Sequence, residues 1–186
     1  SMEKLLSSTA EVLSQSAIGE DACSHLLESI PTFIEIVESF EIGAQQKKIL
    51  VIQAEEGLDK ATWARAVHLK HLGRDIGFKK LGSTQKESLS GQKKNNLYLA
   101  LDNEEPATIF ISDIKNLPND ERVAMSKKLI ASSRNRAAKI FIGVEDPDEA
   151  SFLGEQNITL LEIPPLRNML KDIPQMLEET IKFFVE

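Results

Sequence analysis

Lys60 is the residue best placed to do chemistry. It stands in AEEGLDKAT (54–62), directly after the short apolar run KILVIQ (48–53) and at the start of a helical pattern over 60–72. A strand that runs into a glycine-bearing turn, a lysine and a helix is the arrangement of a phosphate-binding loop. In such a loop the glycines let backbone N–H groups close around phosphate oxygens. The lysine neutralises the terminal phosphates and a hydroxyl holds magnesium. Here the location fits and the residue types depart from it. Ala54 stands where the first glycine is required and Asp59 where the glycine before the lysine belongs, so Gly57 is the glycine that remains. Glu55, Glu56 and Asp59 set three carboxylates around a place suited to phosphate. A carboxylate ~5 Å from a phosphate costs several kcal/mol at intermediate dielectric, and one lysine does not offset three of them. Pairing with a neighbouring acid is therefore the expected role of Lys60, with nucleotide contact as the alternative.

Phosphate-transfer enzymes of this kind also need a carboxylate after a second apolar strand, to hold magnesium and position water. The run ATIFIS (107–112) ends on Ser112 at the metal position and is followed by one acid, Asp113, which also suits a structural turn. The remaining chemistry-bearing residues are scattered. His68 and His71 are spaced i, i+3, close enough to share a metal. No cysteine or Asp/Glu–His pattern completes that site, so they are expected on the helix surface, as is His25. No Ser-His-Asp or Gly-x-Ser-x-Gly arrangement is present. Trp63 is expected in the core rather than lining a pocket. Lys79, Lys80, Lys86, Lys93 and Lys94 form a basic stretch with Phe78 and Tyr98 as its nearby aromatics. It reads as a solvated loop rather than a nucleic-acid surface.

The elements that position these residues are legible from periodicity. Short, β-branched apolar runs at 48–53, 107–112, 139–144 (KIFIGV) and 158–163 (ITLLEI) read as strands buried on both faces. Helical patterns lie between and after them at 60–72, 120–134 and 170–185, the last with Leu170, Ile173, Leu177, Ile181 and Phe184 on one face. Residues 21–40 read as a helix broken or kinked at Pro31, and 82–96 (GSTQKESLSGQKKNN) reads as a polar loop. Strands alternating with helices predict an α/β fold, a parallel sheet covered on both sides.

Composition bounds the function. The 186 residues are 41% hydrophobic, which suits one domain with a sizeable core, and the net charge of -7 is ill-suited to direct contact with DNA phosphates. Cys23 is the single cysteine. It excludes an internal disulfide framework, fits a reducing cytosol and reads as a small packed residue rather than a nucleophile. No apolar run approaches the ~20 residues of a membrane span and no signal peptide opens the chain, so a cytoplasmic protein is expected. Residues 1–17 read as a lead-in helix or linker, with Ser1-Met2 a tag remnant, and 18–186 as the core.

The residues 18–186 resemble the AAA+ domain of sigma-54-dependent enhancer-binding transcription activators. IGEDAC (18–23) resembles the family's opening motif. LVIQAEEGLDKATWARAVH (50–68) follows its Walker A segment and ATIFISDIKNLP (107–118) its Walker B segment. IPPLRNMLKDIPQML (163–177) follows a Pro-Pro-Leu-Arg and Asp-Ile-Pro block, in which Asp172 and Pro174 suit a helix start. The resemblance implies a three-layer P-loop AAA+ core with a mostly parallel five-stranded sheet, here without the lid subdomain. It implies Glu55, Gly57, Lys60 and Asp113 as vestigial nucleotide-binding positions. The departures run across separate steps: two Walker A glycines, the Walker B acids, the sensor position at Glu145, and the arginine fingers, since 145–162 holds no Arg. The sigma-contacting loop is missing too. Catalytic parts act as a unit, so such losses together imply a fold kept without its ATPase cycle. The expectation is a non-catalytic module of a bacterial transcription regulator, in a two-component setting. It would use no metal or cofactor and would act by contact with protein partners or with itself. It would touch neither membrane nor nucleic acid, with any DNA-binding domain elsewhere in the full-length chain. The alternative is a sensor that binds a nucleotide or a nucleotide second messenger through Lys60, Trp63 and Arg65 without hydrolysing it. Surviving hydrolysis with Asp113 on magnesium is the third possibility.

Overall fold

A computed structural model describes residues 25–46, 49–56, 59–72, 75–103, 107–135 and 137–185. The lead-in segment 1–17, the IGEDAC motif, Cys23 and Gly57 lie outside the described residues. The first described helix covers 25–29 and stops at Ile30, whose extended backbone (φ -90°, ψ 118°) is what a following proline imposes. Pro31 then opens α1 (Pro31–Ser39), and α2 (Glu41–Ala44) adds one turn.

Five strands form one parallel sheet: β1 (Ile49–Gln53), β2 (Gly77–Gly82), β5 (Ala107–Ser112), β6 (Ile140–Val144) and β7 (Ile158–Glu162), in the spatial order β2-β5-β6-β1-β7. The four apolar runs are four of these strands. The fifth, GFKKLG, was not legible as a strand. It is an edge strand, exposed at Gly77, Lys79 and Lys80, and so lacks an apolar signature. The predicted loop over 82–96 is corrected as well. Its middle is an antiparallel hairpin, β3 (Lys86–Leu89) with β4 (Gln92–Asn95), turned by Ser90 at φ 51° and Gly91 at φ 76°. Backbone pairing and a turn that accepts positive φ make a strand pair without any buried face.

Side chains of β1 alternate between two cores, as the two-residue period demands. Leu50 and Ile52 join Phe110 and Phe141 under α1 and α3 (Lys60–Leu72), where Phe33, Trp63, Ala64 and Val67 pack. Ile49 and Val51 join Ile109, Ile111, Ile140 and Ile142 on the other face. There α4 (Asn96–Asp102) and α5 (Asn119–Asn135) supply Leu97, Met125 and Leu129, and the 3-10 turns Pro147–Leu153 add Ala150 and Leu153. The fold is thus α/β with helices on both faces of a parallel sheet. Among the described residues, no helix is long and apolar enough to cross a membrane.

The last helix, α6, is Ile173–Val185. Residues 166–172, part of which was expected in that helix, form 3-10 turns with a non-helical Met169 (φ -117°, ψ 25°). Ile173 and Met176 point into the core, whereas Leu170, Leu177, Ile181 and Phe184, expected to line one face with Ile173, are exposed.

Candidate functional site

The carboxyl ends of β1, β5 and β6 meet at a crevice. β1 leaves through α3 on one face of the sheet to reach the β2 edge. Its neighbour β6 leaves through the Pro147–Leu153 turns on the other face to reach β7. Adjacent parallel strands whose connections diverge leave an opening at their carboxyl ends, the usual ligand position in such sheets. A pocket of about 200 Å³ lies there, lined by Asp59, Lys60, Ala61, Phe110, Ser112, Asp113, Lys115, Gly143, Val144, Glu145 and Glu149. The structure therefore brings Lys60, Asp113, Ser112 and Glu145 together from three separate connections.

Each group in the pocket is constrained by a local contact. Lys60 begins α3, and its stem crosses Gly143, where an added Cβ would stand 3.2 Å from Lys60 Cδ. Among the described residues no carboxylate pairs with Lys60, so the ion pair expected of it is not formed. Asp59 instead accepts the Thr62 hydroxyl at 2.7 Å. The residue directly after the lysine, where a phosphate loop places its metal-binding hydroxyl, is Ala61. That substitution was readable from sequence and was not singled out. Glu145 pairs with Lys115 at 3.5 Å, and Glu149 closes a capping box with the Asp146 amide at 3.2 Å.

Asp113 adopts the left-handed conformation, φ 57° and ψ 33°, which aspartate tolerates better than most residues. Its carbonyl accepts the hydroxyl of the fully buried Ser83 at 2.7 Å and the Asn116 amide at 2.9 Å. A tight 3-10 turn, Ile114–Asn116, follows. Ser112 Oγ reaches the Leu81 carbonyl at 3.5 Å, the long limit of such a bond. Glu55 does not line the pocket. Its carboxylate pairs with Arg167, the arginine of the Pro-Pro-Leu-Arg block, which ties the segment after β1 to the segment after β7. Neither that pair nor the Ser83 anchor had a signal in the sequence, because each joins residues far apart in the chain.

Two other candidates are placed elsewhere. Trp63 packs edge-on against Phe33, ring centres 5.4 Å apart, in the core as expected. His68, expected on the helix surface, is 2% exposed. One ring nitrogen, Nδ1, lies 2.8 Å from Thr108 Oγ1, and the other, Nε2, 3.0 Å from the Ile76 carbonyl. A carbonyl only accepts, so Nε2 carries the proton and the Thr108 hydroxyl donates to Nδ1. Desolvation by burial holds the imidazole below its ordinary value of 6.5. His68 bridges α3 to the sheet and has no nitrogen left for a metal.

The donor set at the crevice does not fit a magnesium–nucleotide group. Ala61 offers a methyl where a phosphate loop would need a metal-binding hydroxyl, Thr62 is engaged by Asp59, and four carboxylates stand against two lysines in the pocket lining. A phosphate ~5 Å from one of these carboxylates would be repelled by about 3 kcal/mol at an effective dielectric of ~20. No family model and no curated protein matches this chain.

Proposed function

We propose that this chain is a non-catalytic module on a P-loop-type AAA+ frame of the sigma-54 activator kind. It would serve a cytoplasmic bacterial transcription regulator through protein contact, by self-association or by passing a signal from a partner domain. One observation carries the reading. Three of the acids at the crevice are engaged or built into a turn: Asp59 with Thr62, Glu145 with Lys115, and Asp113 in a left-handed turn anchored by Ser83. An ATPase needs those groups free and preorganised. The test is phosphate release from ATP with magnesium, measured beside a Lys60→Ala control. Equal, background rates are expected. A rate well above the control would end the reading.

A second reading has its own support. Lys60 sits at the start of a 13-residue helix with no salt-bridge partner among the described residues, which favours binding of an anion without hydrolysis. Thermal melting with ATP, ADP or a cyclic dinucleotide separates the two. Ligand at ~100-fold its Kd adds about 2.7 kcal/mol of stability. A rise in Tm that Lys60→Ala abolishes would favour the sensor, and no rise at millimolar ligand would exclude it.

A further inference from the structure

The β3–β4 hairpin is tied at its base and bare elsewhere. Asn95 Nδ2 donates to the Ser83 carbonyl at 2.9 Å, and the Asn96 amide to the Gln85 carbonyl at 2.9 Å. Every residue from Thr84 to Lys94 is exposed, including Leu89 at 40%. A two-stranded ribbon without a covered face is marginal in water. This one presents charge instead of apolar surface. Residues 77–95 hold five lysines and one acid, Glu87, in a chain of net charge -7. The register pairs Lys86 with Asn95 and Ser88 with Lys93, so Lys86 and Lys93 share one face, while Lys94 opposes Glu87 on the other. Among the described residues no salt bridge engages Lys79, Lys86, Lys93 or Lys94.

A complementary surface exists on the same chain. Residues 145–166 contain six acids and no Lys or Arg. Of these, Glu145, Asp146, Asp148, Glu155 and Glu162 are exposed. Glu145 is engaged by Lys115, but no salt bridge reaches Asp148 or Glu155 among the described residues. Within one copy the two surfaces stand on different strands of the sheet. The hairpin hangs from the β2 edge, whereas the acidic connection leaves β6, beyond β5, and no ion pair joins them among the described residues.

We propose that the basic β3–β4 hairpin of one copy docks on the acidic β6–β7 connection of a second copy, giving head-to-tail self-association. A nucleic acid is the poorer partner for the ribbon. It carries no aromatic side chain for base stacking, and the negative domain behind it repels a polyphosphate. A head-to-tail contact joins unlike surfaces, so it forms a ring if the rotation closes and an open chain if it does not. The proposal names a partner and a surface for the protein-contact reading above and rests on charge, not on lost hydrolysis. ATP turnover would end that reading and leave this association standing.

Sedimentation of the chain at about 25 mM and about 500 mM salt tests it, since the Debye length falls from near 20 Å to near 4 Å between them. Average mass should rise with protein concentration at low salt and stay monomeric at high salt. Lys86→Glu/Lys93→Glu/Lys94→Glu and, separately, Asp148→Lys/Glu155→Lys should each weaken association by at least about tenfold. Mixing the two variants should restore association, because the basic hairpin of one meets the acidic connection of the other and the reversed pair is complementary as well. The neutral Lys86→Gln/Lys93→Gln/Lys94→Gln variant should weaken association less than the charge reversal, with circular dichroism and melting checking that all variants fold. A monomer at low salt, association persisting in either charge-reversed variant, or a mixture that stays monomeric would overturn the proposal. Tighter salt-sensitive binding of duplex DNA or RNA oligonucleotides than of a second copy would also overturn it.

Discussion

Replacing His68 by leucine removes a polar bridge from the interior while keeping a side chain of similar bulk. His68 joins α3 to the end of the segment before β2, through Ile76, and to β5, through Thr108, at 3.0 and 2.8 Å. Each hydrogen bond contributes about 0.5–1.5 kcal/mol net, and a buried acceptor left without a donor costs about 1–3 kcal/mol. Thr108 keeps the Lys139 amide on its hydroxyl oxygen at 3.2 Å, so the heavier loss falls on the Ile76 carbonyl. The expected destabilisation is about 2–4 kcal/mol, read from urea unfolding followed by the fluorescence of Trp63, the single tryptophan. Thr108→Val on its own and with His68→Leu closes a cycle whose coupling should fall at about 0.5–3 kcal/mol. The pH dependence has a definite sign. Burial lowers the folded imidazole below 6.5, so below that pH the unfolded chain binds a proton that the folded chain refuses. Wild-type stability should therefore fall as pH drops from 6.5 toward the lowered folded value, and His68→Leu should flatten that part of the slope. A loss under about 0.5 kcal/mol together with an unchanged slope would refute a buried neutral bridge.

Other substitutions probe the crevice. At Gly143 an alanine Cβ would stand 2.6 Å from Phe110 Cζ, so Gly143→Ala should cost about 1–3 kcal/mol in urea unfolding. Ser83→Ala removes the hydroxyl bond to the Asp113 carbonyl, and unfolding should show a loss of about 1–2 kcal/mol. Asp113→Val forces a β-branched residue to positive φ and should cost about 1–3 kcal/mol, whereas Asp113→Gly should stay within about 1 kcal/mol of the parent. Arg167→Ala breaks the ion pair with Glu55, but both side chains are exposed, so its Tm should shift by no more than about 1 kcal/mol implies.

The legible parts of this fold are those in which burial is written into local pattern. ILVIQ, ATIFIS and IFIGV are buried along almost their whole length, so apolar runs marked them, and the helix over 60–72 was found with the bounds of α3. Where burial and sequence part company, the pattern failed. GFKKLG is a strand because β5 pairs with it, not because it is apolar. Leu177, Ile181 and Phe184 keep helical spacing from Ile173 yet are exposed, because spacing marks a helix without telling which part of its face is covered. His68 looked like a surface residue because a histidine's polarity does not disclose that Thr108 and Ile76 will meet its two nitrogens.

At the crevice the division is similar. The sequence by itself determined that Ser112 ends an apolar strand, that Lys60, Asp113 and Glu145 come after such strands, that Asp59 and not glycine precedes Lys60, and that Ala61 brings no hydroxyl. Those are matters of residue type and chain order, which local preference settles. The structure decided which of the acids are occupied: Glu55 by Arg167, Glu145 by Lys115, Asp59 by the nearby Thr62, with the Asp113 backbone held by Ser83. All but the Asp59–Thr62 contact depend on the strand order β2-β5-β6-β1-β7, which sets the ends of separate strands side by side. The energies that choose that order are spread over two buried cores rather than carried by any short motif.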